Sequence, residues 1–460
     1  MNTQMFPNTS PNPSPSHLAD APAEDRLAFA ITEVARQFAD RTAIVAEAGG
    51  ESSRTIDYAT LAAAIVKLEA ALDRVRPVGI IARAKRTESL VVIAAACGRQ
   101  HVPVAFLAED SRDLIGELRD WVTVDDSLLL VANPAAQRRE FEAVATHVVV
   151  ATSGTSGPPK LVEHSWDSLL AAARLAEQWH GLGWIMVYDA TRWAGIQVWL
   201  QALLTGGRLV VPASRDPDAV LRAIVDEQAT VLPATPTLLR RLLTSADRSL
   251  LAKARLDRIT LGGETADGLL LEQARAAFPA AKITQVYATT ELGEVFRVTD
   301  GLAGFPTNWL GRSLAGGARL GMRRDGELLV QLSRDSAEVA TGDLIEKRGD
   351  RYEFTGRRSD VIVVGGAKVV PRRVEELLRG VPGIADARVY GMPSAITGEL
   401  VAAEVVLAEP LPEGSTPESI RAGALAACRG TLEPHGVPRI LDIVKKIATN
   451  PAGKVPRRQS

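Results

Sequence analysis

The segment Thr152-Ser153-Gly154-Thr155-Ser156-Gly157-Pro158-Pro159-Lys160 is the most informative stretch of the chain. It follows an apolar run, Val148–Val150, that predicts a buried strand, and it precedes Ser165–His180, which predicts a helix. Its glycines let backbone N–H groups approach an anion, and its hydroxyls and Lys160 add donors and positive charge. This composition favours a phosphate-binding loop, although a flexible polar loop could have the same composition. It is not the Walker pattern, because no Gly-Lys-Ser/Thr closes it.

Short apolar strands alternate with helical patterns on both sides of this segment. Leu27–Phe38 and Tyr58–Leu72 have apolar residues at helical spacing, whereas Val78–Ala82 and Val102–Leu107 are typical of buried strands. The alternation predicts an α/β fold, with a large N-terminal body of stacked sheets flanked by helices.

The pattern changes towards the C-terminus, where strands and hairpins dominate and a compact series of short elements follows Gly356. We therefore predict a large domain of residues 26–357 and a small α+β cap domain of residues 358–460. Residues 1–25 are rich in Pro, Asn, Ser and Thr, which predicts a disordered tail.

Composition excludes several classes of protein. The 460 residues carry 53 Lys and Arg against 55 Asp and Glu, which argues against binding nucleic acid through a basic surface. Two distant cysteines, Cys97 and Cys428, form neither a disulfide framework nor a zinc pattern. Because no long apolar run and no secretory signal are present, we expect a cytoplasmic, multi-domain protein without a membrane span.

Four further segments follow the loop in a fixed order. They are Tyr287-Ala288-Thr289-Thr290-Glu291, Thr341-Gly342-Asp343, Gly356-Arg357-Arg358-Ser359-Asp360 running into Gly365-Gly366-Ala367-Lys368, and Asn450-Pro451-Ala452-Gly453-Lys454. Together, the five segments resemble the adenylate-forming superfamily of acyl- and aryl-CoA synthetases, adenylation domains of peptide synthetases, and luciferases.

The resemblance implies a two-step reaction. ATP first adenylates a carboxylic acid and releases pyrophosphate, and a thiol then displaces AMP. The implied cofactors are ATP and Mg²⁺, and the implied acceptor is CoA or the phosphopantetheine arm of an acyl carrier protein. Because anions are brought together in both steps, positioning and fixed positive charge should dominate catalysis. We expect a monomer or a homodimer.

The resemblance also implies roles for the residues that contact the nucleotide. The loop at 152–160 binds the β- and γ-phosphates, Thr290 donates to the α-phosphate, and Glu291 binds Mg²⁺. For the nucleoside, the resemblance implies that Tyr287 faces adenine beside Gly262-Gly263-Glu264. It also implies that Asp343 accepts hydrogen bonds from the ribose hydroxyls and that Arg357 is a further donor there.

Lys454 is the implied catalytic lysine, close to the bond that forms between the acyl oxygen and the α-phosphorus. Read alone, it could equally be a solvated lysine in a basic tail. In the family the cap domain swings between the half-reactions, and the loop of Gly365, Gly366 and Lys368 then faces the thiol. The expected hinge residue is Ser359, where the family usually has Asp or Lys. Ala288 replaces a usual Gly, which would cost about 1 kcal/mol if φ were positive there.

The acyl pocket implied by the resemblance includes Trp193, Gly195, Gly262 and Ala288. Trp193 stands where amino-acid-activating members have an Asp, and an indole cannot neutralise a buried ammonium. This disfavours α-amino acids, unless nearby Asp189 takes that role, and favours an aromatic or a short- to medium-chain acid.

Four other positions carry predictions of their own. Arg192 either pairs with a second carboxylate or phenolate of the substrate or faces solvent. Trp199 is expected in the core, His164 in a local hydrogen bond, and the Arg372–Glu376 segment on a solvated helix face.

Two alternatives remain open to an acid–thiol ligase that transfers the acyl group to CoA or to a carrier protein. One is a stand-alone adenylation enzyme that loads only a carrier protein. The other is a nucleotide-binding relative without turnover, for which Ser359 and Ala288 are the only hints.

Overall fold

The computed structural model describes residues 21–118, 120–131, 147–152, 159–245 and 247–448. The described chain divides into two compact units. Unit 1 contains the described residues up to Thr152 and from Lys160 to Leu232, and unit 2 contains Pro159 and the residues from Pro233 onward. Ala23–Asp25, which the sequence assigned to the tail, form a 3₁₀ turn with Ala23 buried. The predicted domain boundary at residue 357 stays a prediction.

Unit 1 contains two largely parallel sheets. Its strands are β1 (Thr42–Ala48), β2 (Arg54–Asp57), β3 (Ile80–Ala82), β4 (Val104–Phe106), β5 (Val122–Val124), β6 (Leu130–Val131), β7 (His147–Ala151), β8 (Leu161–Ser165), β9 (Gly183–Ile185), β10 (Arg208–Pro212) and β11 (Val231–Ala234). One sheet has the order β6-β5-β3-β4-β7-β8, with antiparallel edge strands β6 and β8. The other contains β11-β9-β10-β1-β2, with β2 antiparallel at its edge. The predicted α/β class is confirmed.

Helices of unit 1 pack through apolar faces at helical spacing. They are α1 (Arg26–Gln37), α2 (Tyr58–Val75), α3 (Thr87–Arg99), α4 (Trp166–Leu170), α5 (Trp193–Leu204) and α6 (Pro217–Asp226), with 3₁₀ turns at Glu109–Leu118 and Glu177–Trp179. In α1, Leu27, Ile31 and Val34 are buried, as their spacing predicts. Trp199 of α5 is fully buried, which confirms the prediction that it belongs to the core.

The helix predicted over Ser165–His180 is wrong in length, because α4 ends at Leu170. Beyond it, the side-chain amide of Gln201 accepts from Arg174 N and donates to Arg174 O, each at 2.6 Å. These bonds from α5 satisfy the backbone of Arg174 outside a helix. A tertiary contact thus overrides the helical propensity of the Ala-rich stretch.

Unit 2 contains three sets of strands. They are β12 (Arg258–Gly262), β13 (Lys282–Thr289), β14 (Gly293–Val298), β15 (Phe305–Pro306), β16 (Arg319–Met322), β17 (Glu327–Gln331), β18 (Val339–Arg348), β19 (Arg351–Arg357), β20 (Ile362–Val364), β21 (Ala367–Val369), β22 (Ile384–Ser394), β23 (Gly398–Leu407) and β24 (Ile440–Ile443). β12, β13 and β14 are neighbours, and β15-β19-β18-β17-β16 form an antiparallel sheet. The last sheet has the order β21-β20-β23-β22, with β24 parallel to β23.

The last sheet of unit 2 and its helices form the small α+β fold predicted for the C-terminal part. Helices of unit 2 are α7 (Pro236–Ser245), α8 (Arg248–Lys253), α9 (Gly268–Ala277), α10 (Pro371–Arg379) and α11 (Pro417–Thr431), with 3₁₀ turns at Thr307–Trp309 and Arg358–Asp360. Val374 and Leu378 of α10 pack with Ala424 of α11 in one apolar core.

The prediction that Arg372–Glu376 forms a solvated helix face is wrong. The side chain of Glu375 is only 3% exposed and accepts from Val389 N at 2.9 Å. Arg372 donates to Glu376 at 2.8 Å and to the backbone oxygen of Thr265 at 3.2 Å. Arg372, Glu375 and Glu376 therefore contact protein, whereas Arg373 is exposed.

No helix among the described residues is both long and apolar enough to cross a bilayer.

Candidate active site

The base of the predicted phosphate loop is a closed hairpin stem. β7 and β8 pair antiparallel up to Ala151 opposite Leu161. Beyond them, Thr152 N donates to Lys160 O at 2.8 Å, and Lys160 N donates to Thr152 Oγ1 at 2.9 Å. Lys160 is exposed, so its ammonium is open to a ligand. The loop residues Ser153, Gly154, Thr155, Ser156 and Gly157 lie outside the described residues.

Arg192 lies at the N-terminal end of α5 and is buried, so the alternative that it faces solvent is wrong. Its Nη1 donates to Ala151 O at 2.9 Å and to Thr152 O at 2.6 Å. Its Nη2 donates to Asp110 Oδ1. The guanidinium therefore contacts the end of β7, and a carboxylate of the protein neutralises it.

Tyr287, Asp343 and Arg357 contact one another in unit 2. The Tyr287 hydroxyl donates to Asp343 Oδ2 at 2.6 Å, and Arg357 Nε donates to Asp343 Oδ1 at 3.0 Å. β18 and β19 place Asp343 directly opposite Arg357. A carboxylate with two oxygens and several lone pairs suits a diol that donates two hydrogen bonds.

The ring of Tyr287 has a fixed position. It stacks on Phe296 and on Phe354, with centroids 5.0 Å apart in each pair. Burial, together with the neighbouring Asp343 carboxylate, raises the pKa of the Tyr287 hydroxyl far above its usual value, so it remains a donor. Burial alone would lower the pKa of Arg357, but the carboxylates of Asp343 and Asp360 outweigh it and raise that pKa, so this cation is permanent.

Thr290 and Glu291 lie in the turn between β13 and β14. Thr289 pairs with Gly293 across the hairpin, and Leu292 N donates to Thr289 Oγ1 at 3.0 Å. Glu291 is exposed at this turn and can take an ion together with a ligand's oxygens. No cluster of three or more His, Cys, Asp or Glu suited to a metal occurs in the described part of the chain.

Ala288 lies within β13, an extended segment opposite Glu294. An extended backbone needs no glycine, so the cost considered for alanine at this position does not arise. In the neighbouring strand β12, Gly262 pairs with Val286, which places Gly262 and Gly263 beside the end of β13. Gly263 has φ +81°, a conformation that favours glycine. Glu264 accepts from Thr237 N at 3.1 Å.

The predicted acceptor loop is a tight turn between β20 and β21. Val364 pairs with Ala367, and Gly365 and Gly366 have φ of +57° and +88°. Two successive positive φ values are typical of two-residue hairpin turns with glycine. Lys368 follows on β21 and is exposed.

The segment around the predicted hinge residue Ser359 has an anchor that sequence reasoning missed. Arg358 donates to Asp325 and, at 3.1 Å, to Glu327. The buried Glu327 also accepts from Gly342 N at 3.0 Å, in the segment that carries Asp343. Glu327 thus ties the hinge segment to the Asp343 segment. Nothing in the sequence around it signals this role.

In the segment predicted for the acyl pocket, Asp189 is engaged locally. Its Oδ1 accepts from Thr191 N at 2.9 Å and from Thr191 Oγ1 at 2.6 Å. This disfavours Asp189 as partner of a substrate ammonium. His164 contacts Ser168 Oγ at 3.4 Å, which confirms its predicted local hydrogen bond. The pocket role of Trp193 stays a prediction, and Lys454, the predicted catalytic lysine, lies outside the described residues.

Gly195 has a packing reason to be glycine. A Cβ there would lie 2.0 Å from Asp189 O, so Gly195→Ala should destabilise the protein by about 1–3 kcal/mol in urea unfolding. Gly423→Ala is the matched control, since this exposed helical glycine has no atom within 4 Å of a new Cβ. Alanine there should be neutral or stabilise by about 0.5–1 kcal/mol. Equal stability of the two variants would contradict the close approach.

Two family models match this chain. The AMP-binding enzyme model matches residues 109–319, and the AMP-binding enzyme C-terminal domain model matches residues 373–454, together more than half of the chain. This chain belongs to the AMP-binding enzyme family. The resemblance found in the five sequence segments is thereby confirmed.

Several curated relatives of this AMP-binding enzyme are ligases. The 2-succinylbenzoate–CoA ligase of Bacillus licheniformis is 25% identical over 370 residues, which cover 74% of each chain. The medium/long-chain fatty acid–[acyl-carrier-protein] ligase FadD10 of Mycobacterium tuberculosis is 25% identical, over 67% of this chain and 65% of FadD10.

Solved structures share the fold. The anthranilate CoA ligase AuaEII in complex with anthranoyl-AMP has a TM-score of 0.73 at 17% identity, covering 96% of this chain and 97% of that one. The amide bond synthetase McbA of Marinactinospora thermotolerans has a TM-score of 0.69 at 23% identity, covering 94% and 98%.

Proposed function

We propose that this chain adenylates an aromatic or a short- to medium-chain carboxylic acid with ATP and transfers the acyl group to a thiol. The reaction class, an AMP-forming acid–thiol ligase, follows from the family and from the ligases among its relatives. The observation that carries the nucleotide site is the contact of both Asp343 oxygens with Tyr287 and Arg357. There, Asp343 would accept from the ribose hydroxyls while Tyr287 and Arg357 hold the carboxylate in place.

The triphosphate would be bound by the loop at 152–160, whose stem is closed by Thr152 and Lys160. Thr290 would donate to the α-phosphate. Glu291, exposed in a turn, fits Mg²⁺ as a single carboxylate ligand, because Mg²⁺ usually keeps waters and phosphate oxygens as its other ligands. The ion would neutralise phosphate charge while a carboxylate oxygen of the substrate acid attacks the α-phosphorus and pyrophosphate leaves.

The second half of the proposal concerns Lys454, Ser359 and the Gly365–Lys368 turn. Lys454 would stabilise charge on the α-phosphate during adenylation. The turn would face the incoming thiol after residues 358–460 rotate about Ser359. The permissive glycines and the exposed Lys368 support this role for the turn.

Trp193 at the predicted ammonium position and the engaged carboxylate of Asp189 support an acid without an α-amino group. The relatives named above act on 2-succinylbenzoate and on medium- or long-chain fatty acids, with CoA or an acyl carrier protein as acceptor. CoA and an acyl carrier protein therefore remain alternative acceptors for this chain. A stand-alone enzyme that loads only a carrier protein remains an alternative function.

We also propose a cytoplasmic location. Cys97 and Cys428 are both buried and free, which suits a reducing compartment. A monomer or a homodimer remains our expectation.

The test is pyrophosphate exchange with a mixed library of carboxylic acids, followed by mass spectrometry of the adenylates formed. We expect an aromatic or acyl adenylate, and thioester formation once CoA or a phosphopantetheinylated carrier is added. Use of the carrier alone would establish the narrower alternative. ATP binding without exchange for any acid would favour a non-catalytic relative and refute the proposed reaction.

A further inference from the structure

Among the described residues, Arg192 is an enclosed cation at the edge of a predicted functional segment. The side chain is 9% exposed, and its Nη1 donates to two consecutive carbonyl oxygens, those of Ala151 and Thr152. Thr152 is the residue at which the predicted phosphate loop begins. A single planar cation thus fixes the last peptide groups before that loop.

Asp110 completes the arrangement. Its Oδ1 accepts from Arg192 Nη2 and also from Ser111 Oγ at 3.0 Å. Asp110 lies in the 3₁₀ turn that follows β4, and β4 pairs in parallel with β7. The arginine therefore joins three structural elements at one edge of the sheet: the chain after β4, the end of β7 and the start of α5.

This geometry argues against Arg192 as a substrate-binding cation. Its charge is already paired with Asp110, and two of its terminal N–H donors are used by backbone carbonyls. A cation is also electrostatically unfavourable at the N-terminus of a helix, where the helix dipole is positive, so a carboxylate partner is needed. A planar group with several donors holds two carbonyls and a carboxylate together, whereas a lysine ammonium cannot match that arrangement.

We infer that Arg192 and Asp110 are positioning residues that set the direction in which the chain enters the phosphate loop. The inference rests on the proposed function, because it assigns the loop at 152–160 to the β- and γ-phosphates. Displacing such a loop by about 1 Å can lower the rate of a reaction by roughly a hundredfold. The pair acts on ATP through the loop and leaves the acid untouched.

The test compares ATP with AMP, which lacks the β- and γ-phosphates. Arg192→Lys and Asp110→Asn should each raise the Kd for ATP by about tenfold or more, measured calorimetrically, with an unchanged Kd for AMP. In pyrophosphate exchange, kcat should fall about tenfold to a hundredfold, while the KM for the acid and the ranking of acids stay unchanged. Arg36→Met, at an exposed arginine paired with Glu33, is the matched control and should behave as wild type.

The double variant Asp110→Asn/Arg192→Lys should lose little more ATP affinity than either single variant, because each single substitution already breaks the same set of contacts. A raised KM for the acid with unchanged ATP affinity would instead make Arg192 an acyl-pocket residue and overturn the inference. If the affinities for ATP, AMP and the acid all fell by the same factor, the pair would have only a structural role, and the inference would again be overturned. If wild-type protein binds ATP but never exchanges pyrophosphate, the proposed function fails, yet the ATP-to-AMP comparison still tests the pair.

Discussion

Lys454→Ala is expected to lower the rate of adenylate formation by about 10²–10³-fold, the usual loss when one preorganised charge or donor is removed from a reacting phosphate or oxyanion. The reason is that negative charge on the α-phosphate and the attacking carboxylate must be balanced as the new bond forms. Pyrophosphate exchange measures this step. Transfer of the acyl group from a chemically prepared adenylate to the thiol should be affected far less, because the P–O bond already exists.

Lys445→Ala is the matched control for Lys454, since Lys445 is an exposed lysine in the same basic C-terminal region. It should leave both half-reactions unchanged. If Lys445→Ala and Lys454→Ala had the same small effect, Lys454 would be a solvated lysine of the tail, which is the alternative that its basic neighbours suggested. An equal loss in both half-reactions would contradict a role confined to adenylation.

Local signals made most elements and several site positions predictable. The apolar run Leu328–Val330 is typical of the strand Glu327–Gln331, and Pro371 is typical of the first residue of the helix Pro371–Arg379. The turn at Gly365 and Gly366 follows from two glycines between apolar strands. Asp343 and Arg357 were expected near each other because of the resemblance, and strand pairing places them opposite.

Contacts between distant residues could not be predicted in the same way. Arg192 and Asp110 are 82 positions apart, and neither position has a local pattern that names its partner. The early end of α4 depends on the side chain of Gln201, 27 positions beyond Arg174. For α10, the spacing of charges is that of a solvated face, whereas its partners come from other elements of the unit. A single sequence carries local propensity but not the identity of tertiary partners.

These partners form a buried ionic cluster of Arg240, Arg379, Asp267 and Asp386. Arg240 lies 2.6 Å from Asp267 and 3.6 Å from Asp386, and Arg379 lies 3.5 Å and 3.9 Å from the same carboxylates. The side chains of the two arginines are 7% and 10% exposed, and those of both aspartates are 14% exposed. The cluster connects α7 and the start of α9 with α10 and β22.

The two aspartates contribute differently. Burial would raise the pKa of Asp267, but Arg240 and Arg379 outweigh it and lower that pKa. Burial also raises the pKa of Asp386. Arg240 and Arg379 lower it too little to compensate, because they lie farther from Asp386 than Arg240 lies from Asp267. A lowered folded-state pKa means that Asp267 stabilises the protein above the ordinary carboxyl pKa of about 3.9, and that this stability is lost as the pH falls below it. The raised pKa of Asp386 has the opposite sign: its charged form costs stability, and the cost disappears as the pH falls through that pKa.

Asp267→Asn should therefore lower the free energy of unfolding at neutral pH by about 3 kcal/mol, because it leaves Arg240 buried beside only one, more distant carboxylate. Asp386→Asn, the matched control in the same cluster, should change it by less than about 1 kcal/mol, since the close Arg240–Asp267 pair survives. Urea unfolding and hydrogen exchange of the α10 amides measure both. Acidification to about pH 3 should reduce the difference between Asp267→Asn and wild type, because Asp267 of the unfolded wild-type chain then takes up a proton that the folded state, with its lowered pKa, does not bind. A larger loss for Asp386→Asn than for Asp267→Asn would contradict this assignment of the stabilising charge.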